Sequence, residues 1–230
     1  MNNKDQIDDI LSDLKAMRSK EHAEGMKRFG IKAEHALGIR TPELRKYASK
    51  LGKNHDLAKK LWQTGIHEAR HLAALIGEPK KVTHEQMEEW AAGFTSWDIC
   101  DSTCNNLFDK TPFVWEKAVE WTARPEEFIK RAGFVLMATR SVHDKKASDE
   151  KFRQFFLYIE KEANDERNFV KKAVNWALRA TGKRNGPLNT EAIECARRIY
   201  NQGSKSARWI ASDALRELKS EKVQKRITDK

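Results

Sequence analysis

The sequence predicts an all-α protein built from repeated helical units. Three observations support this fold class: helix starts are frequent, strand signals are nearly absent, and four similar segments recur along the chain. Alternating Val, Ile and Thr are rare, and no Asn-Gly or Asp-Gly turn joins two apolar runs as a β-hairpin would require. With 230 residues the chain is long enough to bury a core, and we expect one domain.

Threonine and proline mark the predicted helix starts. A threonine before proline is typical of a cap residue followed by the first helical position. A threonine with a polar or acidic residue three positions later is typical of a capping box. The predicted starts are Thr41-Pro42, Thr111-Pro112, Thr83 with Gln86, and Thr95 with Asp98, the last of which begins a helix just before Trp97.

The four similar segments each carry a basic residue followed by small and apolar residues over about two helical turns. They are "EARHLAALIG" with Arg70, "IKRAGFVLMA" with Arg131, "VKKAVNWALRA" with Lys172 and "SARWIASDALREL" with Arg208. Intervals of 61, 41 and 36 residues fit a repeat of about 30 to 40, the range of HEAT-like repeats. The helix at Trp97 falls halfway through the long interval, where a further member is expected.

We therefore expect a HEAT-like helical-repeat solenoid, an α-α superhelix whose concave face is an extended binding surface. Irregular helices should occupy residues 1 to about 65, and the repeats about 66–218. The basic segment 219–230 is predicted to be a frayed or disordered tail.

Composition narrows the class of partner. Lys and Arg number 44 against 34 Asp and Glu, which leaves a net charge of +10 and favours a polyanion such as nucleic acid. A charge-rich helical protein that happens to be basic is the alternative. No run of apolar residues suits a membrane helix, and the polar N-terminus is unlike a signal peptide, so we expect no membrane partner and a cytosolic location. Cys100, Cys104 and Cys195 are then expected to be reduced and buried rather than metal ligands.

The segment "TSWDICDSTCNNLF" places Trp97, Asp101 and Asn105 on one helix face, because they are four residues apart. Trp97 and Asp101 could be a core residue with a polar neighbour, or a wall and an acid in a binding cleft. Arg131 and Trp176 occupy comparable places on later units. Together they would suit a charged, ring-bearing ligand such as DNA. Singly, a tryptophan is more often core, and Arg131 or Lys172 could bond a neighbouring helix.

The chain also resembles a known family, the AlkD family of DNA alkylation-repair glycosylases. The similarity rests on "GIRTPELR" from Gly38, "SWDICDS" from Ser96, "IKRAG" and "KKAVNWALR", which follow in the family's order from about Met26 to Arg179. The resemblance implies that Trp97 and Asp101 are catalytic, with Arg131 as the active-site arginine and Trp176 as the second cleft tryptophan. Phe29 stands where the family has a tyrosine, and Ser96 precedes Trp97 where the best-known pattern has two tryptophans.

The activity implied by this resemblance is base excision repair by hydrolysis of the N-glycosidic bond of cationic alkylated purines, such as N3-methyladenine and N7-methylguanine. A cationic base leaves as a neutral molecule, so one carboxylate would suffice to stabilise the oxocarbenium-like sugar and orient water. The DNA backbone would be gripped without moving the base into a pocket. We expect a monofunctional, monomeric enzyme on double-stranded DNA, in a bacterial-type cytosol and nucleoid-associated when bound, with no cofactor or metal.

Basic residues on the late repeats are candidate phosphate contacts, and each could equally be a solvated residue or an inter-repeat hydrogen bond. They are Lys171, Lys172, Arg179, Lys183, Arg184 and Arg208. Two other functions stay open. One is a non-catalytic HEAT-like protein that binds branched or damaged DNA. The other is a protein-interaction solenoid with Trp115, Trp121 and Trp209 in its core. Trp62 and Trp90 are expected to pack between helices.

Overall fold

The computed structural model describes residues 3–31 and 36–228, and every regular element in these ranges is helical, as predicted. Short 3-10 turns join some of the helices. None of the described helices has the length and apolar character needed to cross a membrane. The α-helices are α1 Asn3–Ala16, α2 Lys20–Lys27, α3 Thr41–Leu51, α4 His55–Gln63, α5 His67–Ile76, α6 His84–Ala92, α7 Trp97–Asn106, α8 Val114–Glu120, α9 Glu127–His143, α10 Asp149–Lys161, α11 Asn168–Gly182, α12 Gly186–Asn201, α13 Lys205–Leu218 and α14 Glu221–Thr228.

The chain forms two compact units, Met1–Pro112 with α1 to α7 and Phe113–Lys230 with α8 to α14. The two units divide between residues 112 and 113. One domain with internal boundaries near residues 65 and 218 stays a prediction. The four similar segments become α5, α9, α11 and α13, and the predicted helix at Trp97 is α7.

Three predicted helix starts are confirmed to within one residue. The Thr83 hydroxyl accepts the backbone N–H of Gln86 at 3.2 Å and caps α6, as expected. At the other two, the residue in the cap position differs from the prediction. It is Arg40 before α3 and Ser96 before α7, rather than Thr41 and Thr95.

The predicted start at Thr111-Pro112 is wrong, because α8 begins at Val114. Thr111 is buried, and its hydroxyl donates to the Phe108 carbonyl oxygen at 2.8 Å. Thr111 therefore closes the turn before Pro112 instead of capping the helix that follows. The cap position of α8 is occupied by Phe113, and no side chain caps this helix.

In the first unit, α5 is the central helix and packs against α1, α3, α4 and α7. Its Ala69, Leu72 and Ala73 are fully buried. Beside it, Trp62 of α4 stacks on Trp90 of α6 with ring centroids 4.2 Å apart, which confirms that these two tryptophans pack between helices.

In the second unit, α9 packs most extensively against α11, α11 against α12 and α13, and α12 against α13. Gly133 in "IKRAG" allows α9 to approach the turn at Trp121, since a β-carbon there would lie 2.8 Å from the Thr122 nitrogen. This packing of successive helices buries Trp121 completely.

The expected disordered tail is wrong as far as residue 228, because α14 is a helix packed on α13. Val223 is buried, and the Gln224 amide donates to the Leu218 carbonyl oxygen at 2.6 Å and to Asn189 Oδ1 at 3.1 Å. One apolar residue and one amide thus anchor a segment that looks uniformly charged in the sequence. Residues 229 and 230 lie outside the described ranges.

The three cysteines are buried, as expected. Cys100 and Cys104 lie on the inner face of α7, and Cys195 lies on α12 with its thiol 3.8 Å from the Phe156 carbonyl oxygen. Burial raises the pKa of Cys195 to about 12, so this thiol stays protonated near neutral pH.

Candidate nucleic-acid site

The two faces of α7 differ in burial. Ser96 has extended backbone before the first turn, and the helix runs from Trp97 to Asn106. Ile99, Cys100, Thr103 and Cys104 are buried and hold the helix in place. The row Trp97, Asp101 and Asn105 is half-buried. The one-turn spacing therefore places an indole and a carboxylate side by side at the edge of the core, as the sequence predicted.

Phe29 and Trp97 are brought together in the first unit. The Trp97 indole N–H donates to the Phe29 carbonyl oxygen at 2.9 Å, although 68 residues separate the two. The Phe29 side chain is 68% exposed, a large exposure for a phenyl group. The Trp97 ring is thus tied to the turn after α2, and that turn presents an aromatic ring to solvent.

The loop in "GIRTPELR" is held by a buried carboxylate. Glu68 of α5 accepts backbone N–H groups from Leu37 and Gly38, each at 2.7 Å, and from Ile39 at 3.3 Å. Gly38 has φ +78°, and a β-carbon there would lie 2.2 Å from the Ser19 carbonyl oxygen. Both the glycine and the glutamate are therefore required for the close approach of this loop to α2 and α5.

A cavity of about 310 Å³ in the first unit is lined in part by Ile39 of this loop. Its lining includes His22, Phe29 and Trp97, and α5 and α7 also contribute His67, His71 and Asp98. Asp98 Oδ2 is 2.8 Å from His67 Nε2 and 3.2 Å from His71 Nε2, and Asp98 Oδ1 accepts the Ser96 hydroxyl at 2.6 Å.

The Asp98 carboxylate is held in its charged form. Burial on its own would raise the pKa of Asp98, but hydrogen bonds from His67 and His71 more than offset that effect and place the pKa well below its ordinary value. In the sequence, Asp98 is recognisable only as part of a capping pair, and no local pattern joins it to His67 and His71.

Arg131 is 6% exposed, and its guanidinium donates to the Phe169 carbonyl oxygen at 2.6 Å. The bond joins α9 to α11. Arg70 is used in a similar way, since it donates to the Gly93 carbonyl oxygen at 2.9 Å. For Arg131 the structure shows the bond to a neighbouring helix that the sequence left open as the alternative to a role in ligand binding.

Trp176 is half-buried on α11 and lines a cavity of about 680 Å³ in the second unit. The lining of this cavity also includes the cations Lys145, Lys183, Arg184 and Arg226 and one carboxylate, that of Asp149. Lys145 and Arg226 were not predicted. Both lie in segments without the repeat pattern, and Arg226 reaches the cavity because the predicted tail is a helix.

Two predicted phosphate contacts form ion pairs. Glu217 of α13 accepts from both Arg179 and Lys183, and Arg179 Nε also lies 3.6 Å from Asp213 Oδ2. Burial would raise the pKa of Glu217, but the hydrogen bonds from Lys183 and Arg179 lower it below its ordinary value. The carboxylate therefore stays charged near neutral pH and reduces the positive charge that these two residues present.

The other predicted cations differ in burial. Arg184 donates to the Ser141 carbonyl oxygen at 2.7 Å and lies 3.6 Å from the Phe152 ring centroid, and burial lowers its pKa. Lys172 and Arg208 are exposed. Lys171 Nζ lies 5.6 Å from the ring centroid of Trp209, which is 40% exposed rather than core.

The predicted residues divide between the units. Trp97, Asp101 and Phe29 belong to the first. The second contains the following: Arg131, Trp176, Lys171, Lys172, Arg179, Lys183, Arg184 and Arg208.

Comparison with known proteins decides the family. A sequence profile described as DNA alkylation repair enzyme matches residues 10–218, nearly the whole chain. The chain belongs to this family. A relative in Listeria innocua, the uncharacterized protein Lin0241, is 25% identical over 166 residues, which cover 70% of this chain and 71% of the relative.

A solved structure shows the same fold. It belongs to a new family of proteins related to the HEAT-like repeat DNA glycosylases, with affinity for branched DNA structures. The TM-score is 0.76 at 19% identity, and the match covers 92% of this chain and 94% of the other. The fold of this DNA alkylation repair family member is therefore HEAT-like, as the repeat pattern predicted.

Proposed function

We propose that this protein is a DNA glycosylase that hydrolyses the N-glycosidic bond of cationic alkylated purines, among them N3-methyladenine and N7-methylguanine. One observation carries the proposal. In a chain of the DNA alkylation repair enzyme family, α7 holds Trp97 and Asp101 one turn apart on its less buried face. The product would be an abasic site that enters base excision repair.

The chemistry needs little more than one placed carboxylate. Alkylation at N3 or N7 makes the purine cationic, so the base departs neutral and needs no acid to protonate it. Positive charge then develops on the deoxyribose, and Asp101 would stabilise it and orient the attacking water. The Trp97 face would pack on the sugar and also favour this positive charge. The hydrogen bond from Trp97 to Phe29 would fix the orientation of the ring.

The second unit would contribute affinity for the phosphate backbone. Trp176 lies among Lys145, Lys183 and Arg226, which suits a sugar–phosphate chain packed on an indole. We propose that Arg131 acts as a positioning residue, because it is buried and bonded to Phe169 of α11, the helix that carries Trp176. Contact with the DNA backbone in this way does not require a base to be moved into a pocket.

Non-catalytic binding of branched DNA is the second candidate function. The observation that favours it is the HEAT-like fold shared with a protein from a family with affinity for branched DNA structures. The two candidates share charge and fold. They differ in whether Asp101 is needed.

The deciding experiment measures base release from methylated duplex DNA by the native protein, Asp101→Asn and Asp56→Asn. Asp56 is an exposed carboxylate in the first turn of α4, so its variant controls for the loss of one charge. We expect Asp101→Asn to release N3-methyladenine and N7-methylguanine at least about 100-fold more slowly, with DNA affinity and the Asp56→Asn rate unchanged.

Two controls complete the test. Uracil and hypoxanthine are uncharged in DNA and are poor leaving groups without protonation. Their release at rates comparable with that of N7-methylguanine would therefore contradict the cationic leaving-group mechanism. Strand cleavage at the abasic product would contradict a monofunctional enzyme. If the native protein binds four-way junctions well but releases no base, the branched-DNA function replaces the glycosylase.

A further inference from the structure

The segment "HEARH" places two histidines one turn apart on α5, and α7 brings a carboxylate between them. His67 and His71 reach the same Asp98 oxygen with their Nε2 atoms, at 2.8 Å and 3.2 Å. The ligand-type atoms of the three residues all lie within 4.8 Å of one another. His67 is buried, and the other two are half-buried.

The arrangement has the chemical composition of a transition-metal site. Two imidazole nitrogens and one carboxylate oxygen are a common three-ligand set for Zn²⁺, and histidines at i and i+4 are a common way for one helix to supply two of them. The rings are tilted by 63° with centroids 4.9 Å apart, so their Nε2 atoms converge without the rings stacking.

Ser96 orients the Asp98 carboxylate. Asp98 Oδ1 accepts the Ser96 hydroxyl at 2.6 Å, which leaves Oδ2 directed at the histidines. Hydrogen bonds of this kind orient carboxylates that bind metals. Glu68, which lies between the histidines in sequence, points instead to the backbone of residues 37–39 and is not a fourth member of the cluster.

The surroundings leave room for a further ligand. His67, His71 and Asp98 line the cavity of about 310 Å³ whose wall includes Trp97. Three protein ligands plus an open position on a cavity distinguish reactive zinc sites from purely structural ones, which use four protein ligands.

We propose that His67, His71 and Asp98 bind a divalent transition-metal ion of the Zn²⁺ type, with one coordination position open to this cavity. The ion joins α5 to the first turn of α7, immediately beside Trp97. The site is independent of the proposed glycosylase chemistry, because Asp101 does not line the cavity and cationic bases leave without a Lewis acid.

The competing explanation is a hydrogen-bonded His–Asp–His cluster that binds no ion. Direct titration separates the two. The full-length protein is stripped with chelator and titrated with ZnCl₂ by calorimetry, then with CoCl₂ by visible absorption, which reports the ligand field. We expect one Zn²⁺ per chain and a Co²⁺ spectrum of four- or five-coordinate type.

Three variants are expected to differ in their affinity for Zn²⁺. His71→Ala removes a ligand and should weaken Zn²⁺ binding by more than about 100-fold, while Ser96→Ala removes only the partner of Asp98 and should weaken it by about 10- to 100-fold. His143→Ala removes an exposed histidine of the second unit and should bind as the native chain does.

Folding is monitored separately, so that a failed variant is not mistaken for a lost ligand. Zn²⁺ should raise the melting temperature of the native protein and of His143→Ala, but not that of His71→Ala. The proposal is overturned if the stripped native chain takes up no Zn²⁺ at up to about 100 μM free metal. At this concentration a site with a Kd of about 1 μM is nearly saturated. The proposal is also overturned if His71→Ala binds Zn²⁺ as tightly as the native chain.

Discussion

Trp97 and Trp176, one in each unit, lie in opposite chemical environments. Around Trp97 in the first unit are carboxylates and histidines, with Asp98 beside it in sequence, Asp101 one turn later and His67 in the same cavity wall. Around Trp176 in the second unit are cations, including Lys145 and Arg226. The net charge of +10 hides this division.

This difference separates two tasks that a DNA-repair protein has to perform. A developing sugar cation is stabilised by a nearby carboxylate, whereas a phosphate backbone is attracted by Lys and Arg. Nearby cations would offset the negative charge of a carboxylate, and an unbalanced carboxylate would repel phosphates. In the proposed glycosylase, placing Asp101 and the cations around Trp176 on different units would limit both effects.

The largest effect is expected from the loop that shapes the first unit. Gly38→Ala should lower the free energy of unfolding by about 3 kcal/mol or more, because the new β-carbon would overlap the Ser19 carbonyl and the left-handed backbone adds strain. Gly65→Ala is the matched control, since Gly65 has a similar φ of +71° but no atom within 4 Å, and should cost about 1 kcal/mol.

Urea unfolding of both glycine variants gives the measurement. Equal, mild losses would show that the loop does not approach α2 as closely as described. A loss of stability in Gly38→Ala alone, together with slower base release, would show that this loop supports the function of Trp97 in the first unit.

A smaller effect is expected from the cations around Trp176. The double variant Lys145→Ala/Arg226→Ala should weaken DNA binding about tenfold and lower the slope of log K against log[salt] by about 1.8, since each phosphate contact contributes about 0.9. Lys219→Ala/Lys222→Ala removes two exposed cations outside the cavity and serves as control.

Fluorescence anisotropy with duplex DNA over a salt series measures both quantities. An identical change of this slope in the two double variants would mean that DNA affinity depends only on the net charge of the protein. The Trp176 cavity would then not be a specific DNA contact.

The smallest effect tests whether Arg179 and Lys183 face DNA. Glu217→Gln removes the carboxylate that pairs with both, so DNA affinity should rise about two- to fivefold while stability falls by no more than about 1 kcal/mol, as is usual for partly exposed ion pairs. Glu160→Gln breaks an ion pair with Arg198 and removes the same charge elsewhere in this unit. If Glu160→Gln raises the affinity equally, Arg179 and Lys183 do not contact the DNA.

Much of the fold could be predicted because helical spacing is local. The segments from Glu68, Ile129, Val170 and Ser206 each contain enough pattern within two turns to identify a helix, and all four are helices. Helix starts were less predictable. Thr111 precedes a proline, as Thr41 does, but its hydroxyl donates backward to the Phe108 carbonyl oxygen, a contact that the sequence pattern does not reveal.

The candidate site was less predictable, because a side chain's role depends on its partner. Arg131 was expected to be the active-site arginine, yet a buried guanidinium also bonds a carbonyl oxygen well, and the sequence does not reveal that Phe169 lies within reach. The histidine pair in "HEARH" was visible in the sequence. Its partner Asp98 is 31 residues from His67 and 27 from His71, a separation at which no local pattern joins them.

The helix α14 combines two roles within eight residues. Val223 is buried where α14 packs on α13, and the exposed charged residues of α14 face solvent. The same helix supplies Arg226 to the Trp176 cavity. Removing α14 would therefore uncover apolar surface on α13 and take one cation from the cavity, so hydrophobic burial and the charge of the cavity are coupled in this segment.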